Sequence, residues 1–338
     1  MNAMISVIIP VYGCGTKIYA CLDSLKAQTY KDFEVIVVND CSPDNSKDLI
    51  EEYIEKSPEL NIRLVSHEEN KRCGGARNTG VKNANGEYVF YLDQDDSIMP
   101  ETFEKLIENN HDYDCVSCDV REANGQIEIR TSFSELQSIS DSDREKLIIE
   151  HGYVFGMLIK RSLLLEKDLW FPENVMFEDV FYNVNLFLEV EKFLHVDYCG
   201  VVRYGDENSQ TAFMNQRKID DRIKSAQWGY ERAVKRNHFE GVKKAVYLEY
   251  FYYMYMSNTV FMMTHPNLKV SFKTVKYGIK ETKAISGYYW KEVAELDNRF
   301  NSRVRRSLKM IYNCAIMVYC YKVLFFVYLG LKKCLKKI

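Results

Sequence analysis

Two unbroken apolar runs, Ile5 to Val11 and Phe33 to Val38, constrain this chain more than any other feature. Each is rich in β-branched residues and closed by turn residues. A strand that is apolar on both faces must be covered on both, which is the situation inside a parallel sheet. Between the runs, Tyr19, Leu22 and Leu25 recur at helical spacing, and Leu49, Ile50, Tyr53 and Ile54 repeat the pattern after Ser46. Asn61 to Val65, Glu87 to Leu92 and Cys115 to Val120 read as further strands. Strand alternating with helix in this rhythm predicts an α/β sandwich with a mainly parallel sheet.

From Gln126 to Leu147 the sequence turns polar and Ser-rich, which predicts a surface loop or lid. Order returns at Tyr153 to Ile159, and a helix is expected to open near Phe177 with Val180, Phe181, Val184, Phe187 and Leu188 on one side. Beyond Gln216 the strand-turn rhythm stops and long helical stretches follow. This divides the chain of 338 residues into an α/β domain over 1–215 and a helical module over 216–338.

Ligands of open α/β sheets gather at the carboxyl ends of the strands. Pro10-Val11-Tyr12, Asn39-Asp40 and Asp93-Gln94-Asp95-Asp96 all stand at such ends. Three carboxylates within four residues repel one another, so a divalent cation or a set of hydrogen-bond donors must offset them. The same residues precede Pro100 and the expected helix Glu101 to Glu108, so a capping turn is the competing reading. Asn70 to Gly80 supplies the opposite charge. Its Gly74-Gly75 pair allows close backbone approach to a ligand, or else forms a plain turn before a helix, and Arg72 and Arg77 can fork onto phosphate oxygens. No Walker-type Gly-Lys-Ser/Thr and no Gly-x-Gly-x-x-Gly occurs, which disfavours an ATPase or a dinucleotide enzyme.

Five segments in order, Ser6-Val-Ile-Ile-Pro-Val-Tyr12, Leu25-x-x-Gln-Thr-Tyr30, Glu34-Val-Ile-Val-Val-Asn-Asp40, Ala76-Arg-Asn-x-Gly80 and Gly86-Glu-Tyr-x-x-Tyr-Leu-Asp-x-Asp-Asp96, resemble the family 2 inverting glycosyltransferases of the GT-A fold. The resemblance covers roughly the first 120 residues. It implies a nucleotide-sugar donor, with Asp40 accepting from uracil, the Pro10, Val11 and Tyr12 backbone lining the base, and Arg72, Gly75, Arg77 and Gln94 in the nucleotide site. It implies Mn2+ or Mg2+ held by Asp95 with Asp93 and Asp96, Asp93 also approaching the ribose. Where the family often has Asp-Asp, this chain has Asn39-Asp40.

Further along, Phe177-Glu-Asp-Val-Phe181 resembles the family's Glu-Asp motif, which makes Asp179 the expected general base and Glu178 the residue that orients the acceptor or a loop. The first turn of a helix is expected to favour ionised Asp179 through the helix dipole. Gly156-Met-Leu-Ile-Lys-Arg-Ser162 is similar to the segment before an acceptor-side helix. Arg203 to Thr211 resembles the late loop over the diphosphate, carried here by Arg203, Ser209 and Thr211. The resemblance points to building a bacterial surface polysaccharide on a glycan or lipid-linked acceptor. The rival readings are a sugar-nucleotide nucleotidyltransferase and a non-catalytic scaffold that keeps the fold. His67, His111, His151 and His195 have no partner at ligand spacing and read as structural.

The net charge of -3 conceals a basic end: from Asn301 onward there are nine Lys or Arg and no acid, leaving about -12 on the preceding residues. Within that end, Cys314 to Leu331 is apolar except for Lys322. A central Lys and basic residues on both flanks argue against a membrane span and for a peripheral helix on an anionic membrane surface. Asn313 and Lys322, nine residues apart, would occupy opposite faces of one helix, so burial on the fold or a homo-oligomer interface stays open. Nucleic acid does not suit so apolar a basic end. Ten cysteines without framework spacing and no apolar leader suggest a reducing cytoplasm. Cys115 and Cys118 should point to opposite faces of a strand, against a zinc or redox pair.

Overall fold

The computed structural model describes residues 4–327 apart from 109–111, 124, 126, 129–131, 151–152, 205–214, 265–271, 285–301 and 325–326. The strands are β1 (Ile5–Val11), β2 (Phe33–Asn39), β3 (Ile62–Ser66), β4 (Tyr88–Tyr91), β5 (Ser97–Ile98), β6 (Cys115–Glu122), β7 (Ile127–Glu128), β8 (Glu135–Leu136), β9 (Met157–Lys160) and β10 (Phe193–Arg203). They form one sheet in the order β3-β2-β1-β4-β9-β6-β10-β5, with β7 on β6 and β8 on β10. The β3-β2-β1-β4 half is parallel; β9 enters antiparallel between β4 and β6, and β6 runs parallel to β10.

Every residue of β1 and β2 is buried, as a sheet covered on both faces demands. Alternation sends Ile8 into one apolar layer and Val7 and Ile9 into the other. Cys115 and Cys118 part in the same way, and the nine described cysteines are all free thiols. The helices α1 (Lys17–Lys26), α2 (Ser46–Lys56), α3 (Arg72–Asn83) and α4 (Thr102–Glu108) connect the first strands. Asp95 and Asp96 lie well before α4, with β5 between, so the capping reading of that cluster fails.

The described residues between 132 and 147 carry more regular structure than their composition suggests. Ser140 and Asp143 form a reciprocal capping box at the start of α5 (Asp141–Glu150), Asp143 N–H donating to Ser140 Oγ at 3.2 Å and Ser140 N–H to Asp143 Oδ2 at 3.3 Å. Arg144 of that helix is wholly buried and donates to the Phe187 and Val190 carbonyls at 2.5 and 2.7 Å. It thereby satisfies carbonyls that would otherwise be orphaned at a helix end. The polar run hides a helix because one of its core-facing anchors, Arg144, is charged and the apolar ones, Leu147 and Ile148, come only in its second half.

After α6 (Arg161–Glu166) and α7 (Asp179–Phe187), the chain is helical from α8 (Gln216–Ala233) through α9 (Phe239–Phe251), a π-helical turn at Tyr252–Met256, α10 (Ser257–Thr264), α11 (Phe272–Ala284) and α12 (Ser302–Asn313). Their apolar residues do not make a core of their own. Val246, Met256, Leu308 and Val318 belong to the same buried cluster as Ile8, Ile36 and Phe187. Cys314 breaks the last helical run, so 314–331 is not one continuous helix in the described residues. Among them no helix is long and apolar enough to cross a membrane.

Candidate active site

Because β2, β1 and β4 are adjacent and parallel, their carboxyl ends lie side by side and bring Asp40, Tyr12 and Asp93 to one edge. Pro10 and Val11 are themselves buried in β1, while the Tyr12 ring is exposed. Gln94 joins two of these ends. Its Oε1 accepts from Tyr12 N–H at 2.8 Å and its Nε2 donates to the Tyr12 carbonyl at 3.3 Å. That amide therefore fixes the loop after β1.

Asp40 is buried and firmly held: Oδ1 accepts from Lys71 N–H at 2.8 Å and meets His67 Nδ1 at 2.7 Å, while Asn70 Nδ2 donates to its carbonyl. His67 Nε2 reaches Thr79 Oγ1 at 2.9 Å, a wholly structural set of partners. His195 is likewise engaged with Ser117 and Asp119, while His111 and His151 lie outside the described residues. Arg72 is half-buried at the start of α3 with φ 64°, a left-handed conformation that bulky side chains seldom adopt.

The Asn70–Gly80 segment differs most from expectation. Gly74 and Gly75 are buried inside α3 and form no turn. A Cβ at Gly74 would stand 2.3 Å from the Pro172 carbonyl, and one at Gly75 2.4 Å from Lys71 Cβ, so protein and not ligand is what approaches them. Arg77 is also withdrawn from any phosphate. It is 4% exposed and forks between two carboxylates, donating to Asp93 Oδ1 at 2.8 Å and to Glu178 Oε1 at 2.7 Å. Glu178 is correspondingly committed to Arg77, which leaves the acceptor-orienting role without an available oxygen at Oε1. Asn78 adds a second tie, donating to the Phe171 carbonyl and accepting from Phe171 N–H at 3.0 and 2.9 Å. The Ala76–Gly80 motif thus bolts the segment carrying Glu178 and Asp179 onto the donor half of the site.

The acids respond to burial. Asp96 is pushed up to about 8 by desolvation and by Asp93 and Asp95, partly relieved by Tyr204 N–H at 3.1 Å. Asp179, at the first position of α7, is pushed up to about 7 by burial and then by Glu178, with Arg77 pulling the other way. Desolvation therefore outweighs the helix dipole expected to keep it ionised. No three His, Cys, Asp or Glu among the described residues converge as a closed metal cage, so Asp93, Asp95 and Asp96 do not act as a preformed triad. The cluster does fit an ion that takes one or two protein carboxylates and completes its shell from a diphosphate: burial raises Asp96 first, and the neighbouring charges of Asp93 and Asp95, which raise it further, are what a cation would relieve.

Helix α8 holds the Glu178-Asp179 turn from the other side. Ser225 Oγ donates to the Phe177 carbonyl at 2.7 Å, and the Arg222 guanidinium lies 4.7 Å from the Phe177 ring. Phe177 has φ 62°, and Gly229 packs so closely that a Cβ there would be 2.1 Å from Phe181 Cβ. None of these contacts was visible as a motif; the spacing of Arg222, Ser225 and Gly229 on one helix face was the only trace. Arg203 ends β10, bonded to Glu122 at 3.0 Å and 5.0 Å from the Tyr153 and Phe155 rings. Ser209 and Thr211 lie outside the described residues.

A mixed sheet whose parallel half carries acids at its strand ends, backed by helices on both faces, is the architecture of the GT-A fold. Residues 1–349 of Staphylococcus aureus TarS, solved with UDP-GlcNAc, superimpose with a TM-score of 0.71 at 21% identity, over 98% of this chain and 92% of that one. A mannosyltransferase of Pyrobaculum calidifontis, solved with GDP-Man and Mn2+, has the same fold at a TM-score of 0.52 and 19% identity, over 96% of this chain and 88% of that one. Residues 6–166 match the model for glycosyl transferase family 2, so this stretch, which carries the strand-end acids, is a domain of that family. It is 29% identical to the Bacillus subtilis glycosyltransferase EpsJ, over 66% of this chain and 67% of EpsJ. To the poly(ribitol-phosphate) beta-N-acetylglucosaminyltransferase TarS of Staphylococcus aureus it is 28% identical, over 55% of this chain but only 33% of TarS.

Proposed function

We propose that this glycosyltransferase moves a sugar from a UDP-sugar to a hydroxyl of a glycan or lipid-linked acceptor, with inversion, in building a bacterial surface polysaccharide. The observation that carries this reading is the bridge Asp93–Arg77–Glu178, which sets the acid at the end of β4 and the Asp179 turn in one rigid frame. The TarS structure with UDP-GlcNAc, sharing this fold, supports the donor class.

In this mechanism Asp40 and the edge formed by Tyr12 and Gln94 bind the base. Asp93 and Asp95 face the ribose and diphosphate, and a bound Mn2+ or Mg2+ would offset the charge that develops on the departing diphosphate. Asp179 accepts the acceptor's proton while its oxygen attacks the anomeric carbon opposite the leaving group. A group that titrates at about 7 is well matched to that role at neutral pH. The protein dipoles and Arg203 at the end of β10 surround the diphosphate. An anionic membrane surface, met through the basic 303–338 segment, is the second partner, in keeping with a cytoplasmic enzyme that acts on lipid-linked acceptors.

The test is a thermal-shift screen of nucleotide sugars with Mn2+, followed by UDP release with and without acceptor. Stabilisation by a UDP-sugar and loss of turnover in EDTA are expected. Consumption of UTP with a sugar phosphate, or full turnover in EDTA, would overturn the donor or the metal assignment respectively.

A further inference from the structure

Near the end of the described chain several large apolar side chains stand exposed. After Cys314 the backbone is helical again over residues 317–324. Val318 is 1% exposed and packs with Leu308 and Ile311 into the core shared with the sheet. The opposite side is the reverse: Ile316, Val323, Leu324 and Val327 are 56 to 63% exposed, and Tyr319, its ring against Phe272, is 41% exposed. Their separations of three, four and seven residues put them on one stripe of a helix. The break at Cys314 also removes the objection that Asn313 and Lys322 split the polar face, because the two no longer share a helix.

We infer that this stripe is a docking face for an anionic lipid bilayer, on which the protein lies without crossing it. Charge selects the occupant. From Asn301 to the end there are nine Lys or Arg and not one acid. A segment of that charge attracts anionic headgroups, whereas a second copy of the chain would bring like charge against like charge. The exposed valines and leucine supply the apolar contact that electrostatics alone lacks, the usual pairing in interfacial helices. Among the described residues no helix could span a bilayer, so a shallow, in-plane seat is the geometry available. The inference does not depend on the transfer chemistry, since none of these side chains belongs to the candidate active site.

Flotation of the full chain with phosphatidylcholine vesicles, with and without phosphatidylglycerol, tests it. Binding is expected only with phosphatidylglycerol, and it should fall as salt shortens the Debye length. The double variant Val323→Glu, Leu324→Glu should partition roughly tenfold more weakly. Its melting temperature and its UDP release on a soluble acceptor should be unchanged, because both side chains face solvent. Three outcomes would overturn the inference: no flotation with phosphatidylglycerol, equal flotation by the double variant, or a concentration-dependent dimer that the variant dissolves in the absence of lipid binding.

Discussion

A carboxylate at the first position of a helix is ordinarily held ionised by the helix dipole, and Asp179 instead titrates at about 7 because burial and Glu178 oppose its charge. If Asp179 is the base, it must be ionised to act, so the rate should rise with pH up to about 7 and level off above it. Its acid limb should have a slope of roughly tenfold per pH unit. Asp179→Asn should retain UDP-sugar binding by calorimetry and lose about 10²- to 10⁴-fold in transfer. The linkage sign gives a second readout. A carboxyl whose pKa is raised on folding above 3.8 costs stability as pH climbs from that value through about 7, so the Asn variant should melt no lower than the parent at pH 8. Arg77 stands in the converse position. Replacing it with Met leaves Glu178 buried beside Asp93 with no cation, and urea unfolding should report a loss of about 3–5 kcal/mol.

Elements set where that acid points. Helix α8 grips the Asp179 turn through Arg222, Ser225 and Gly229, three residues on one face, and the φ of 62° at Phe177 persists because those contacts over-determine it. Ser225→Ala removes a single hydrogen bond to the Phe177 carbonyl, a loss of about 1 kcal/mol. Its larger effect should fall on kcat, with the donor Kd unmoved, since the bond orients the base and touches no nucleotide contact. Gly229→Ala forces a methyl against Phe181 and should destabilise by about 1–3 kcal/mol in chemical denaturation. On the opposite side of the turn, α3 reaches it through Arg77, while Asn78 ties down Phe171 upstream of it. The turn is held between the sheet's crossover helix and a helix from beyond residue 215, which ties the two stretches of sequence together at the proposed base.

One apolar cluster runs from Ile8 and Ile36 in the sheet to Leu308 and Val318 near the described end. A fragment ending at residue 215 would expose that face, and it should be aggregation-prone, whereas the whole chain should unfold in one cooperative step by both fluorescence and circular dichroism. The boundary drawn near Gln216 coincides with the start of α8; it marks a change of rhythm in a core that continues across it. The sequence by itself determined the order of the first strands and helices, because two-faced apolar runs have few alternatives, and with it the acids at the strand ends. It also carried the family motifs, whose residues are local in the chain. What it could not convey was which partner each charge would choose. Arg77 reads as a phosphate ligand until tertiary structure sets it between Asp93 and Glu178, 16 and 101 residues away in sequence. The glycines of α3 read as a ligand cradle until Pro172 is packed on Gly74 and Lys71 on Gly75. Burial and long-range pairing are properties of the closed fold, and they decided both the pKa of Asp179 and the use made of the residues around it.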